Sequence, residues 1–228
     1  MSISRIVPYP MPTRAELTDG PAAWRPDPGR AALLIHDMQR YFLGFFPPGR
    51  SPTNELIANT VRARATARAA GLPVIYSAQP GRLPRTQRGL LHDLWGPGLS
   101  DEPADRDIIA ELAPGPDDIV ITKHRYSAFF GTPLADLLAA LGRDQLIVGG
   151  VFAHIGCLLT AADAFSHDLE TFLLADATAD FSRREHLLAL DYAARRCAVT
   201  WTTDQLTEAL PARPRPAGAP ARRARPAR

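Results

Sequence analysis

Asp37 and Lys123 each stand at the end of an apolar run, AALLIHD and DIVITK, where a buried strand would stop. Lys123 is the single lysine among 26 basic side chains. Arginine is a wide, permanently charged fork, whereas lysine is a compact ammonium on a thin stem. A lone lysine in an arginine-rich chain therefore suggests a position that needs an ammonium, the alternative being chance retention of one lysine codon. A carboxylate buried at a strand end is costly to ionise, so its pKa rises unless a cation compensates, and Lys123 is the candidate cation. Such a pair can manage one proton by general acid–base chemistry without a metal. The competing reading is a structural ion pair. Against it stands the stretch Met38-Gln-Arg-Tyr-Phe42 after Asp37, whose polar and aromatic mix suits a pocket mouth. The third chemically distinctive segment is Gly149-Gly150-Val-Phe-Ala-His-Ile-Gly156-Cys157, another strand end.

These positions need a scaffold that brings distant strand ends together. Continuous apolar runs at 31–37, 73–79, 118–123, 145–151, 171–176 and 198–203 read as strands buried on both faces. Helical spacing appears at 54–70, 105–112, 133–141, 156–167 and 183–196, with Ser51 or Asn54 available to cap the first and Ser182 the last. Six strands alternating with helices predict an α/β, three-layer αβα fold on a mostly parallel sheet. Such sheets bind ligands beyond the carboxyl ends of their strands, which gathers Asp37, Lys123 and the glycine stretch on one rim. No phosphate-binding glycine loop follows the first strand, which disfavours a nucleotide fold. The Pro-rich residues 1–30 read as an arm over the domain of residues 31–210, with Trp24 as anchor.

The bulk numbers exclude several classes. The tail 211–228 holds six Arg and no acid, so the chain's net +2 leaves residues 1–210 at −4. The folded part is mildly acidic, against a nucleic-acid-binding body. The Pro/Ala/Arg tail has little to bury and reads as disordered. No apolar run is long enough for a membrane span, and the N-terminus has no signal-peptide core. Two cysteines make no disulfide framework, which favours the cytoplasm.

LLIHDMQRYF around Asp37, TKHRYSAF around Lys123 and AHIGCLLTAADAF together resemble the isochorismatase family. The similarity runs from about residue 8 to 208 and includes SAQPG, RGLLHDLWGPG and FLLADATADFS. It implies an isochorismatase-like hydrolase that cleaves an enolpyruvyl ether by protonating its methylene carbon. Asp37 would be the acid, with Lys123 tuning it and binding substrate oxygen. Gln79 and Arg88 match the family's polar substrate contacts, and Phe42, Trp95 and Tyr126 its aromatic walls. Gly150, Phe152 and Gly156 complete the implied substrate-binding set, with a cis peptide near Val151-Phe152. The wider superfamily contains thiol hydrolases whose cysteine falls at Gly156 here; Cys157 lies one residue later, about 100° around a helix, and reads as a small buried hydrophobe. Related enzymes bind metal after the second strand, but Ser77–Pro84 contains no His, so no metal and no cofactor are expected. Phe152 replaces the family's usual Tyr, and His124 its usual Trp. His36 and His154 read as core or supporting residues, and Asp176 and Asp180 as turn and cap residues.

The resemblance implies a chorismate-derived small molecule: isochorismate, yielding 2,3-dihydro-2,3-dihydroxybenzoate and pyruvate, or 2-amino-2-deoxyisochorismate, yielding 2,3-dihydro-3-hydroxyanthranilate. It also implies a homodimer, and a separate aryl carrier protein as a possible partner. A thiol amidohydrolase using Cys157 and a non-catalytic docking subunit are the rival readings.

Overall fold

A computed structural model describes residues 4–212, so the expectation for the 211–228 tail falls almost wholly outside the described residues. The six strands are β1 Ala31–His36, β2 Val74–Ala78, β3 Ile119–Thr122, β4 Gln145–Val151, β5 Glu170–Ala179 and β6 Val199–Trp201. They form one sheet in the order β3-β2-β1-β4-β5-β6, and every pairing is parallel. β1 is paired on both sides, Leu34 lying against Ile75 of β2 and Val148 of β4. The chain winds outward from β1 in one direction and then, from β4, in the other. The β1/β4 boundary is thus the topological switch point, where loops diverge and leave a crevice.

Alternation along β1 explains its unbroken apolar run. Leu33 and Ile35 join one core cluster, Ala32 and Leu34 the other. Helices Thr53–Ala70 and Thr203–Ala209 cover the first face through Leu56, Ala63 and Leu206. Helices Leu134–Ala140, Leu158–Ser166 and Arg183–Arg196 cover the second through Leu138, Ala161 and Leu190. Burying each such Leu or Ile contributes roughly 1.5–3 kcal/mol. The arm packs on both faces: Ile6 and Tyr9 are buried in the first cluster with Trp24 leaning on it, Leu17 is buried in the second, and Ile6 N donates to Phe45 O at 2.8 Å.

Several local expectations are corrected. No helix spans 105–112. Two single turns, Pro103–Arg106 and Ala110–Leu112, flank an extended stretch that bonds to the segment after β1, Arg40 N to Asp107 O at 2.9 Å and Ile109 N to Met38 O at 3.0 Å. Those long-range bonds outcompete helix propensity and strap the loop over the sheet's carboxyl edge. The helix expected from Gly156 begins earlier, with a wide turn over Ala153–Cys157 in which Cys157 N reaches Phe152 O at 3.2 Å. The helix Thr53–Ala70 is entered through Pro52, with no side-chain cap from Ser51 or Asn54. Ser182 caps its helix as expected, accepting from Glu185 N.

Candidate functional site

Asp37 follows β1 with φ of 49°, in the left-handed region. Asp tolerates this conformation at a cost on the order of 1 kcal/mol, and its N–H is held by Ser77 O at 3.1 Å. The carboxylate is 3% exposed and meets three donors. Ser77 Oγ donates to Oδ1 at 2.7 Å, Gln79 Nε2 to Oδ2 at 3.0 Å, and Lys123 Nζ lies 2.9 Å from Oδ2. Ser77 and Gln79 share one face of the β2 line because side chains two residues apart point the same way. Gln39 fixes Gln79 from behind: its Oε1 accepts from Gln79 N at 2.8 Å, and its Nε2 donates to Gln79 O at 2.9 Å and Arg106 O at 2.7 Å.

Opposing influences set the pKa of Asp37. Burial is the largest influence and pushes its pKa up. The charge of Lys123, the proximity of His36 and the bonds from Ser77 and Lys123 together outweigh it, and the net shift is downward. The balance in the free protein therefore favours the carboxylate form of Asp37, with Lys123 Nζ beside it. Lys123 is 1% exposed, and besides Asp37 its Nζ donates to Arg125 O at 2.7 Å and Tyr126 O at 3.3 Å. Three N–H bonds have three acceptors. That geometry suits an ammonium that holds Asp37, and leaves no donor for the substrate oxygen expected of it.

These groups form the floor of a cleft of about 540 Å³ including its open mouth, a size typical of small-molecule sites. Phe42, Trp95, Tyr126 and Phe152 line it, as do Tyr41, Leu91, Ile155 and Phe181. Phe152 follows the non-proline cis bond Val151–Phe152, stacks on Phe46 at 5.6 Å, meets Phe42 edge-on at 5.9 Å and packs on Phe181 at 4.4 Å. This wall is wholly apolar where the family's usual tyrosine would place a hydroxyl. Trp95 Nε1 donates to Tyr126 OH at 2.6 Å and ties the 80–105 excursion to the loop after β3. Arg88, 6% exposed, also lines the cleft, and Nε donates to Gly96 O at 2.5 Å. A Cβ on Gly98 would stand 2.5 Å from Arg88 Cζ, so Gly98 makes room for the guanidinium. Among the described residues no carboxylate pairs with Arg88. Its fork is available to an incoming anion.

Two glycine assignments change. Gly150 does not line the cleft; its φ is +119°, and a Cβ there would lie 2.1 Å from His36 O, so it serves the close approach of β4 to β1. Gly156 lines the cleft, but the space a side chain there would take belongs to His36, whose Cε1 would lie 2.1 Å from a Cβ at 156. Cys157 is fully buried in the core of the opposite face, and burial raises its thiol pKa well above the ordinary value. Cys197 is buried too. A buried neutral thiol is a poor nucleophile. His154 and Asp180 form a second, separate pair, with Nδ1 2.7 Å from Oδ1 and His154 N donating to Oδ2 at 2.6 Å. Asp180 thereby fixes the turn before Gly156, and Asp176 caps the last helix through Thr203 N at 2.8 Å. His124 lies outside the cleft lining. Ser77, Gln39 and Phe181 went unread in the sequence. Only Ser77 had a local signal, its two-residue spacing from Gln79.

Among the described residues no three His, Cys, Asp or Glu side chains cluster as metal ligands would, and no helix is long and apolar enough to cross a membrane. A six-stranded, all-parallel sheet flanked by helices is the fold shared with isochorismatase-like hydrolases. Residues 31–205 match the family model described as the isochorismatase domain, and the chain belongs to the isochorismatase family. It is 50% identical over 210 residues to the isochorismatase of Bacillus subtilis, covering 92% of this chain and 67% of that one. It is also 50% identical over 206 residues to phenazine biosynthesis protein PhzD1 of Pseudomonas aeruginosa, covering 90% and 99%. Among solved structures, a cysteine hydrolase from Pseudomonas syringae pv. phaseolicola superposes with a TM-score of 0.75 at 26% identity, covering 82% of this chain and 95% of that one. The protein is an isochorismatase-type hydrolase.

Proposed function

We propose that this hydrolase cleaves the enolpyruvyl ether of isochorismate, giving 2,3-dihydro-2,3-dihydroxybenzoate and pyruvate, with Asp37 as the proton donor and no covalent intermediate. The observation that carries this reading is a carboxyl group with three donors on a cleft floor that no thiol reaches.

Vinyl ethers hydrolyse by protonation of the terminal carbon. The methylene becomes a methyl group, and the adjacent carbon becomes an oxocarbenium ion that water captures. The resulting hemiketal collapses to the keto group of pyruvate and the ring alcohol. Asp37 must be protonated to begin. Because the free site favours the carboxylate, the proton arrives with the substrate. Isochorismate brings two carboxylates and displaces water, and both like charge and desolvation raise the pKa of Asp37 in the complex. Arg88 receives one carboxylate, and Gln79, already bonded to Asp37, is placed to hold the acid's orientation. The aromatic wall of Phe42, Trp95 and Phe152 encloses the ring and excludes bulk water around the cation.

The same chemistry on 2-amino-2-deoxyisochorismate is the second reading. It is favoured by the equal identity to the protein named for phenazine biosynthesis, nearly all of which this chain covers. A lactate-dehydrogenase-coupled assay with isochorismate, 2-amino-2-deoxyisochorismate and chorismate separates them. Fastest pyruvate release from isochorismate is the expected result. Preference for the amino compound establishes the second reading, and no pyruvate from either overturns both.

A further inference from the structure

Tyr126 is partly buried and lines the same cleft as Arg88. Two adjacent residues hold the pair. Gly96 O accepts from Arg88 Nε at 2.5 Å, and the indole of Trp95 donates from Nε1 to Tyr126 OH at 2.6 Å. An indole N–H can only donate, so the phenol oxygen is the acceptor in that bond. Its own hydrogen is left to turn elsewhere, and meets no acceptor among the described residues. The terminal nitrogens of Arg88, which lie over Gly98, likewise meet none. Burial, the largest influence, and the like charge of Arg125 lower the pKa of Arg88, and the phenols of Tyr41 and Tyr126 are close enough to act on it. A cation that its surroundings disfavour, with an unused O–H nearby, is an arrangement that an anion completes.

Resting on the vinyl ether reading above, we propose that Tyr126 is a substrate-binding donor, not only an aromatic wall: its O–H, aimed by Trp95, and the fork of Arg88 seat one carboxylate of the substrate between them. The guanidinium binds the carboxylate oxygens, and the phenol adds a charge-assisted O–H bond to the same group. Trp95 is then a positioning residue that acts through Tyr126. The loop after β3 serves both ends of the site, because Tyr126 O accepts from Lys123 Nζ at 3.3 Å while Tyr126 OH meets the anion. The seat selects for a carboxylate, since an uncharged group there would leave a buried guanidinium without a partner.

The test compares the full-length wild-type protein with Tyr126→Phe, Trp95→Phe and the double variant, with thermal melting as a check on folding. Tyr126→Phe removes only the hydroxyl. The expected result is a KM for isochorismate raised about 10-fold or more, with kcat within about threefold. Trp95→Phe should raise KM on its own and add much less once Tyr126 is Phe, a dependence that a merely structural indole would not show. Inhibition by 2,3-dihydroxybenzoate and by catechol, the same ring without its carboxylate, places the contact. Weakening of 2,3-dihydroxybenzoate alone in Tyr126→Phe assigns the ring carboxylate; undiminished inhibition by both, beside the raised KM, assigns the enolpyruvyl carboxylate. A KM within twofold of wild type in folded Tyr126→Phe overturns the proposal, as does equal weakening of both inhibitors. Additive effects of the two substitutions overturn the positioning role of Trp95. Failure of the vinyl ether reading appears separately, as wild-type protein that releases no pyruvate. The two aromatic ligands then decide by binding: selective loss of 2,3-dihydroxybenzoate in Tyr126→Phe supports the seat, and unchanged binding overturns it.

Discussion

At the scale of the residue, the question is how an ionised aspartate becomes an acid. Ser77, Gln79 and Lys123 hold Asp37 as a carboxylate in the free protein. Its protonated form, which the chemistry needs, becomes scarcer as pH rises. The expected outcome is a kcat/KM that falls with rising pH across the neutral range, whereas kcat breaks at a higher pH, because the first reports the free protein and the second the complex. Initial rates from pH 5 to about 9 check this; identical breaks in both profiles refute substrate-linked protonation. Lys123 sets the same balance. Lys123→Arg places a broad, planar fork where a point charge at 1% exposure meets two carbonyls and a carboxylate. A kcat loss of about 100-fold or more is expected, and wild-type kinetics in this variant would contradict the role assigned to the ammonium.

At the scale of the element, two glycines hold functional side chains by their own emptiness. Gly156→Ala drives a methyl group into the His36 ring, with a loss of roughly 1–3 kcal/mol of stability and a larger proportional loss of kcat; denaturant unfolding and steady-state rates measure both. Gly98→Ala displaces the Arg88 guanidinium and puts a side chain at a φ of +79°, so KM should rise about tenfold, the size expected for weakening a charge-assisted contact, with roughly 1–2 kcal/mol of stability lost to the left-handed backbone in the same measurements. The elements themselves were legible where burial dictated the pattern. AALLIHD reads as a strand covered on both faces because Leu33 and Leu34 do enter opposite cores. Asp37, Gln79 and Lys123 were legible as strand ends, and parallel pairing brings them together. The strap at 103–112 was not, because its conformation is set by bonds to Met38–Arg40, some 70 residues away in the chain. Nor was the helix Thr203–Ala209, which is started by Thr202 and Gln205 and by Asp176 from β5. The placement of His36 was invisible for the same reason: only the packed sheet sets its ring against Gly156.

At the scale of the whole molecule, the protein carries buried neutral histidines that make it sensitive to acid. Burial lowers the pKa of both His36 and His186 from 6.5 to about 4. The unfolded chain therefore binds protons in that interval before the folded one does. The stability their neutral forms contribute is present above about pH 6.5 and is lost as pH falls towards 4, at up to about 1.4 kcal/mol per pH unit for each group. His154 behaves oppositely. Although burial acts to lower its pKa, Asp180 raises it overall, so its contribution is present below 6.5 and is lost above. Urea unfolding at pH 7, 6 and 5 should show stability falling toward acid, with a shallower slope in His186→Gln. Equal slopes in the two proteins would show that His186 does not carry the effect.

The account rests on Asp37 delivering a proton to carbon. The most direct measurement is a single turnover of isochorismate by Asp37→Asn, with substrate affinity determined on the same sample. An amide keeps the shape and the polarity of the site but has no proton to give. Affinity within a few-fold of wild type, with pyruvate formation slowed by about 1,000-fold or more, is the predicted result. Pyruvate release at a near-normal rate would contradict it.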